Sequence, residues 1–259
     1  MDNHFFNRID KETYTARRAD SSWKQVIKNN VVVKGKNAAD IGSGGGIYSI
    51  ALAEMGAKKV IGVDISENML AGAIDNCRDF KNILFQVGTA QSTNLETDQS
   101  DIVLERALIH HLKENELEDC FIEAKRVLNE NGVLIIQDRT KEDCVLKGDT
   151  EHIRGIFFDI FPELIEKDTM RRHSADVVST YLKRAGFRDI KAITFWENRR
   201  TYESIVELKG EIISRKGRSI LFELNEEQIH CLADEIEKRV ENQFPLTEKE
   251  RWTIWFAIK

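Results

Sequence analysis

Short apolar runs alternate with amphipathic stretches along residues 36–195 of the chain. The apolar runs predict five strands, at Asn37–Ile41, Lys59–Asp64, Ile83–Val87, Asp101–Glu105 and Gly132–Asp138. Apolar positions at helical spacing predict helices over residues 47–55, 67–77 and 116–128. This alternation predicts an α/β fold with a mostly parallel sheet and helices on both faces.

The rest of the chain extends the alternation and interrupts it. A further helix is predicted over residues 174–185, a sixth strand over 187–195 and a seventh over 252–258. Residues 1–30 are predicted as an N-terminal helical cap, and residues 197–247 as a helical lid insertion. The core domain then comprises residues 31–196 and 248–259 and carries a mixed insert at 140–173.

Composition narrows the class of protein. The 259 residues are 41% hydrophobic and 32% charged, which is typical of a globular protein with a sizeable core. A net charge of -6 gives no general attraction to a phosphate backbone, so nucleic acid is not an expected partner. The four cysteines have no metal or redox spacing, and no signal peptide or long apolar run occurs. We therefore expect a cytoplasmic protein without a metal site.

The first strand leads into a glycine turn that carries an acid. Residues 40–46 are Asp-Ile-Gly-Ser-Gly-Gly-Gly, and a helix is predicted from Ile47. Glycines let a ligand approach the backbone closely, but Asp40 repels a phosphate and favours a cationic ligand. Asp64, at the end of the second strand, is placed to hold ribose hydroxyls. The dinucleotide fingerprint requires glycine at position 47, where this chain has isoleucine.

Three segments carry a family resemblance that covers roughly residues 10–140. Asp40–Gly46, Val60–Leu70 and Ala107–Leu112 resemble motifs of class I S-adenosylmethionine-dependent methyltransferases. Within that family they are similar to the type 11 group, which includes ubiquinone and menaquinone methyltransferases. The resemblance implies a seven-stranded Rossmann-like sheet of order 3-2-1-4-5-7-6 with the last strand antiparallel. It also implies S-adenosylmethionine as methyl donor and S-adenosylhomocysteine as product.

The resemblance further implies which residues bind this cofactor. They are Tyr14, Arg18, Asp40, Gly42, Ser43, Gly44, Asp64, Ile65, Met69, Thr89, Ala90, Glu105, Arg106 and Ala107. Asp40 would lie near the ammonium group, Asp64 would bind the ribose, and Arg18 is a candidate partner of the carboxylate. Where the family has an Asp-Ala pair next to the adenine, this chain has Thr89 and Ala90.

The resulting hypothesis is methyl transfer to a small-molecule acceptor, by in-line displacement at the sulfonium. Such a reaction depends mainly on alignment, and His110 and His111 are candidate general bases for an acceptor that must lose a proton. The alternatives are a cofactor-binding protein without turnover, an RNA methyltransferase and an NAD-dependent oxidoreductase. We expect no membrane partner, and a homodimer stays open.

Overall fold

The structure is a computed structural model that describes residues 18–240 and 243–259. Tyr14 and most of the predicted cap over residues 1–30 lie outside the described residues. The strands are β1 (Asn37–Ile41), β2 (Lys59–Asp64), β3 (Ile83–Val87), β4 (Ser100–Arg106), β5 (Leu128–Asp138), β6 (Arg188–Tyr202) and β7 (Leu246–Ile258). The helices are α1 (Ser21–Asn30), α2 (Ile47–Glu54), α3 (Glu67–Asn76), α4 (Leu117–Val127), α5 (Lys141–Cys144), α6 (Ile153–Ile160), α7 (Glu163–Thr169), α8 (Ala175–Arg184), α9 (Ile205–Ile213) and α10 (Glu226–Val240).

The strands form one seven-stranded sheet of order β3-β2-β1-β4-β5-β7-β6. The pairs β1/β2, β1/β4, β2/β3 and β4/β5 are parallel, and β7 runs antiparallel to β5. The predicted α/β fold and its strand order are therefore confirmed. Because β1, β2, β4 and β5 are parallel, their carboxyl ends meet at one edge of the sheet, where α/β proteins bind ligands.

The chain divides into two compact units. Unit 1 comprises the described part of residues 1–138 together with 173–193 and 253–259. Its core lies between the sheet and helices α4 and α8, and Phe121, Leu182 and Trp255 are buried there. An ordinary amphipathic pattern explains this packing, since α4 presents Leu117, Phe121 and Ala124 to the sheet.

Unit 2 comprises residues 139–172 and 194–252. Its core includes Phe157, Tyr202 and Leu232. The sequence predicts residues 140–173 as an insert of the core domain and 197–247 as a lid insertion, and the structure groups both segments in one unit. The role of a lid stays a prediction.

The two last strands are longer than the sequence predicts. β6 continues to Tyr202 and β7 begins at Leu246. The prediction that residues 197–247 are helical was therefore wrong at both ends of that segment. The extension is polar, but Arg199 in it forms ion pairs with Glu211 and Glu248. These partners neutralise a charge that sequence alone would place in solvent. Across the described residues, no helix is both long and apolar enough to cross a bilayer.

Candidate cofactor and active site

The glycine turn after β1 requires its glycines for conformational reasons. Gly42, Gly44 and Gly46 have φ values of 74°, 51° and 77°, a left-handed region that other residues rarely adopt. The amide of Gly42 donates to the carbonyl of Val63 at 2.8 Å, which ties the turn to the end of β2. Helix α2 begins at Ile47, directly after this turn.

Asp64, at the carboxyl end of β2, is fastened to two neighbouring loops. Its Oδ2 accepts from the amide of Gly44 at 2.9 Å, and its Oδ1 accepts from the amide of Ser66 at 2.9 Å. Burial raises the pKa of the Asp64 carboxyl, while these two backbone hydrogen bonds oppose the rise. Each carboxylate oxygen has two lone pairs, so both retain capacity for a hydroxyl donor.

Asp40 is the more deeply buried acid, with 2% of its surface exposed. Ser49 in α2 donates its hydroxyl to Oδ2 of Asp40 at 2.6 Å. Burial raises the pKa of Asp40 to about 6; the Ser49 hydrogen bond and the nearby Arg106 oppose the rise, and repulsion from Asp64 adds to it. A cation placed beside these two acids would relieve both the burial cost and the repulsion, so the donor set fits a positively charged ligand.

Apolar side chains lie next to the acids. The methyl carbon of Met69 approaches Gly44 so closely that a Cβ added to the glycine would stand 3.5 Å from it. Ile65 is 46% exposed, which is unusual for a large aliphatic side chain next to a buried acid. Both residues stay predicted contacts of the adenine.

The loop after β3 carries Thr89 and Ala90, the predicted neighbours of the adenine. The hydroxyl of Thr89 accepts from the amide of Ser92 at 3.0 Å and so closes a turn within the loop. Ala90 is buried in the core of unit 1.

An aromatic and cationic group lies at the ends of β4 and β5. The Arg106 guanidinium carbon is 4.1 Å from the ring centre of Tyr48, and that ring meets Trp23 edge-on at 4.9 Å. Trp23 in turn donates its indole N–H to Gln137 at 2.6 Å. The chain then turns at Ala107, which has a φ of 50° although it is not glycine. Such strained residues are concentrated at functional sites.

Glu105 and Arg18, two of the predicted cofactor contacts, have partners within the protein. In the parallel register Glu105 pairs with Ile41, whereas Asp40 pairs with Leu104, so the Glu105 and Asp40 side chains are on opposite faces of the sheet. The Glu105 carboxyl accepts from the Cys120 thiol at 3.4 Å, and burial raises its pKa to about 8. The Arg18 side chain is 61% exposed and pairs with Glu54 at 3.0 Å.

His110 is held by an acid that sequence reasoning missed. Its Nδ1 lies 2.8 Å from Oδ2 and 3.1 Å from Oδ1 of Asp138, the last residue of β5. The His111 ring stacks beside that of His110 with centroids 4.1 Å apart. A signal for Asp138 was present in the sequence, because it ends a predicted strand as Asp64 does. Among the residues that the structure describes, no group of three or more His, Cys, Asp or Glu side chains is arranged to hold a metal ion.

Comparisons with known proteins agree with this geometry. The family described as "Methyltransferase domain", type 11, matches residues 39–136. The chain is 28% identical over 151 residues to a ribosomal protein L11 methyltransferase of Macrococcus caseolyticus, covering 56% of this chain and 45% of the relative. It is 37% identical over 70 residues to a ubiquinone biosynthesis O-methyltransferase of Methylococcus capsulatus, covering 27% of this chain and 29% of the relative.

The similarity in structure extends over more of the chain. A putative methyltransferase from an antibiotic biosynthesis pathway of Anabaena variabilis superposes with a TM-score of 0.71 at 22% identity, covering 93% of this chain and 98% of that one. At this identity the likeness shows the fold. The two curated relatives are matched over less than half of their own lengths. Residues 39–136 are therefore a methyltransferase domain of the type 11 group, and the strand order and the acid-flanked glycine turn agree with the fold of class I S-adenosylmethionine-dependent methyltransferases.

Proposed function

We propose that this protein transfers a methyl group from S-adenosylmethionine to a small-molecule acceptor. The observation that carries the proposal is the pair of buried or half-buried carboxyls, Asp40 and Asp64, on either side of the glycine turn. S-adenosylmethionine carries an ammonium and a sulfonium, and it supplies a methyl group activated for displacement. The use of S-adenosylmethionine throughout the family fits a site that favours cations and repels diphosphates.

Each part of the site has a task in this proposal. Asp64 would accept the two ribose hydroxyls, Asp40 would face the ammonium, and Ile65 with Met69 would cover the adenine. The glycine turn would pass under the methionine part, where its lack of Cβ atoms permits close approach. Alignment of the acceptor with the methyl group then supplies on the order of 7–11 kcal/mol of the barrier reduction.

A small-molecule acceptor is supported by the relative that acts in ubiquinone biosynthesis. A protein acceptor is the second candidate, because a longer match joins the chain to ribosomal protein L11 methyltransferases. We place the reaction in the cytoplasm, since Cys77, Cys120, Cys144 and Cys231 are all free thiols. Self-association to a homodimer stays a prediction.

The cofactor part is tested with Asp64→Ala. Loss of the hydrogen bonds to the ribose should weaken S-adenosylhomocysteine binding by about 1.5 kcal/mol or more, which is roughly tenfold or more in the dissociation constant. Isothermal titration calorimetry measures this constant. Asp75→Ala, at an exposed position of α3, is the matched control and should bind as the wild type does. An unchanged constant in a folded Asp64→Ala protein would remove Asp64 from the cofactor site.

The acceptor part is tested with S-adenosylmethionine labelled in its methyl group. The protein is incubated in parallel with a metabolite extract, with purified ribosomal proteins and with total RNA. Label in the metabolite fraction supports the proposal. Label confined to protein or to RNA would replace the small-molecule acceptor by that class.

A further inference from the structure

A histidine and a third acid share the sheet edge with the glycine turn. His110 lies in the short 3-10 turn Ile109–His111 after β4, and Asp138 ends β5. β4 and β5 are parallel neighbours, with Arg106 paired to Gln137, so the residues that follow them adjoin. Asp138 is 1% exposed and therefore has no bulk water to solvate its charge.

The contact between the two side chains fixes the state of the imidazole. Both carboxylate oxygens of Asp138 approach Nδ1 of His110, at 2.8 and 3.1 Å, and the backbone amide of His110 donates to the same carboxylate at 3.2 Å. A carboxylate only accepts hydrogen bonds, so the proton of a neutral imidazole is held on Nδ1. The basic lone pair is then on Nε2.

The turn that carries His110 is itself held in place. Nε2 of His173 lies 3.1 Å from the carbonyl oxygens of both Ile109 and Leu112. On the other side, Leu108 packs so closely on Gly42 that a Cβ there would stand 3.0 Å from its side chain. The 3-10 turn that carries His110 therefore packs against the glycine turn after β1 and has little freedom to move away from it.

We propose that His110 and Asp138 form a proton-accepting pair, in which His110 is the catalytic base and Asp138 its positioning residue, and that the methylated atom is an oxygen or nitrogen that carries a proton. The inference rests on the function proposed above and adds the class of acceptor. An acceptor without a proton to lose, such as a thioether or a tertiary amine, has no use for an imidazole held in this tautomer.

The proposed step moves one proton and one methyl group. The acceptor's O–H or N–H proton moves to Nε2 of His110, and a bond forms between that oxygen or nitrogen and the methyl carbon. The bond between methyl carbon and sulfur breaks, and its electron pair stays on the sulfur, which becomes neutral. The positive charge lost from the sulfonium now resides on the imidazolium, where the Asp138 carboxylate stabilises it. Water takes the proton from His110 before the next turnover.

The first experiment needs no acceptor. Nitrogen-15 histidine spectra of the protein, recorded without and with S-adenosylhomocysteine, report which ring nitrogen carries the proton, and His110→Gln assigns the signal. We expect the Nδ1–H form in the wild type and a gain of the Nε2–H form in Asp138→Asn, because an amide N–H competes for Nδ1. An Nε2–H signal for His110 in the wild type would overturn the proposal.

The second experiment measures methyl transfer from labelled donor to the metabolite extract between pH 6 and pH 9. His110→Gln and Asp138→Asn should each lower the rate of label transfer by about 100-fold or more while S-adenosylhomocysteine binding changes less than about threefold. In Asp138→Asn the acid limb of the pH profile should also move to lower pH, since the imidazolium loses its carboxylate. A merely structural role for Asp138 would leave that limb in place. His230→Gln, exposed on α10, is the matched control.

The outcomes separate this inference from the proposed function. A wild type that neither binds S-adenosylhomocysteine nor transfers label contradicts the function, whereas the tautomer measurement still decides the pair. A wild type that labels the extract, with His110→Gln equally active, refutes the pair alone. A labelled product identified as a sulfonium or quaternary ammonium, or a loss of activity found in His111→Gln and not in His110→Gln, also refutes it.

Discussion

The buried carboxyls Asp40 and Glu105 of unit 1 and the arginine-paired carboxyl Glu211 of unit 2 have pKa values shifted in opposite directions. In unit 1, burial raises the pKa of Asp40 to about 6 and that of Glu105 to about 8. In unit 2, burial likewise opposes ionisation, yet Arg199 and Arg218 lower the pKa of Glu211 to about 2. A buried acid matched by guanidinium groups is accordingly part of the scaffold. A buried acid with a raised pKa beside the glycine turn, as Asp40 is, is a candidate ligand contact.

In unit 2, Arg218 illustrates how a guanidinium group pairs with a buried acid. Arg218 binds Glu248 through both terminal nitrogens, at 2.9 and 2.5 Å, and also meets the Tyr202 hydroxyl at 3.2 Å. Arg218 and Glu248 are almost completely buried. The two charged groups are paired with each other within the protein, so neither needs a ligand as its partner.

The largest effect that this comparison predicts comes from breaking that pair. Arg218→Met leaves Glu248 buried with part of its compensation gone, which should cost about 3–5 kcal/mol of unfolding free energy. Urea unfolding followed by circular dichroism measures it. Lys167→Met breaks the exposed pair with Glu223 and should cost less than about 1 kcal/mol. Equal effects of the two substitutions would mean that burial of the pair is not what distinguishes unit 2.

A smaller effect concerns ligand binding at Asp40. A ligand ammonium favours the ionised carboxyl, so affinity for S-adenosylhomocysteine should be full above about pH 6 and fall as the pH drops through that value. The fall should approach about tenfold per pH unit, and Asp40→Asn should abolish this dependence. The control ligand is 5′-methylthioadenosine, which lacks the ammonium and should bind with little change over the same range. Affinity that is flat from pH 5 to pH 8 in the wild type would contradict the assignment of Asp40.

The smallest effect concerns Glu105. Burial raises its pKa to about 8 from the ordinary glutamate value of 4.5, so its contribution to stability is complete below about pH 4.5 and is lost as the pH rises through about 8. Glu105→Gln has the same shape without a titratable proton. Between pH 7 and pH 9 the wild type should therefore lose about 1 kcal/mol more unfolding free energy than this variant. Urea unfolding at both pH values checks this, with Glu114→Gln at an exposed position as the control. A wild type and a variant with parallel pH dependence would show that Glu105 ionises without cost.

The sequence predicted the parallel half of the sheet well, for a clear physical reason. β1, β2 and β3 have the predicted bounds, because each is an apolar run bounded by turn residues. The extensions of β6 and β7 were not predicted, because their polar residues are buried only through partners distant in the chain. Arg199, for example, meets Glu211 and Glu248.

The candidate site was predicted in part. The glycine turn and Asp64 follow from local pattern, and the structure brings them together with Asp40 and Met69. The pairing of His110 with Asp138 joins residues 28 positions apart and depends on the register of β4 and β5. Periodicity does not specify such a register, and it did not indicate that the Glu105 side chain faces Cys120.

The attachment of Asp64 to Gly44 and Ser66 has a kinetic consequence. These hydrogen bonds join groups of the protein itself, so they restrict the glycine turn independently of any contact that a ligand adds. A preorganised loop loses little conformational entropy when its ligand arrives. Cofactor association should accordingly be a single concentration-dependent phase in stopped-flow measurements, without a slow ordering step behind it.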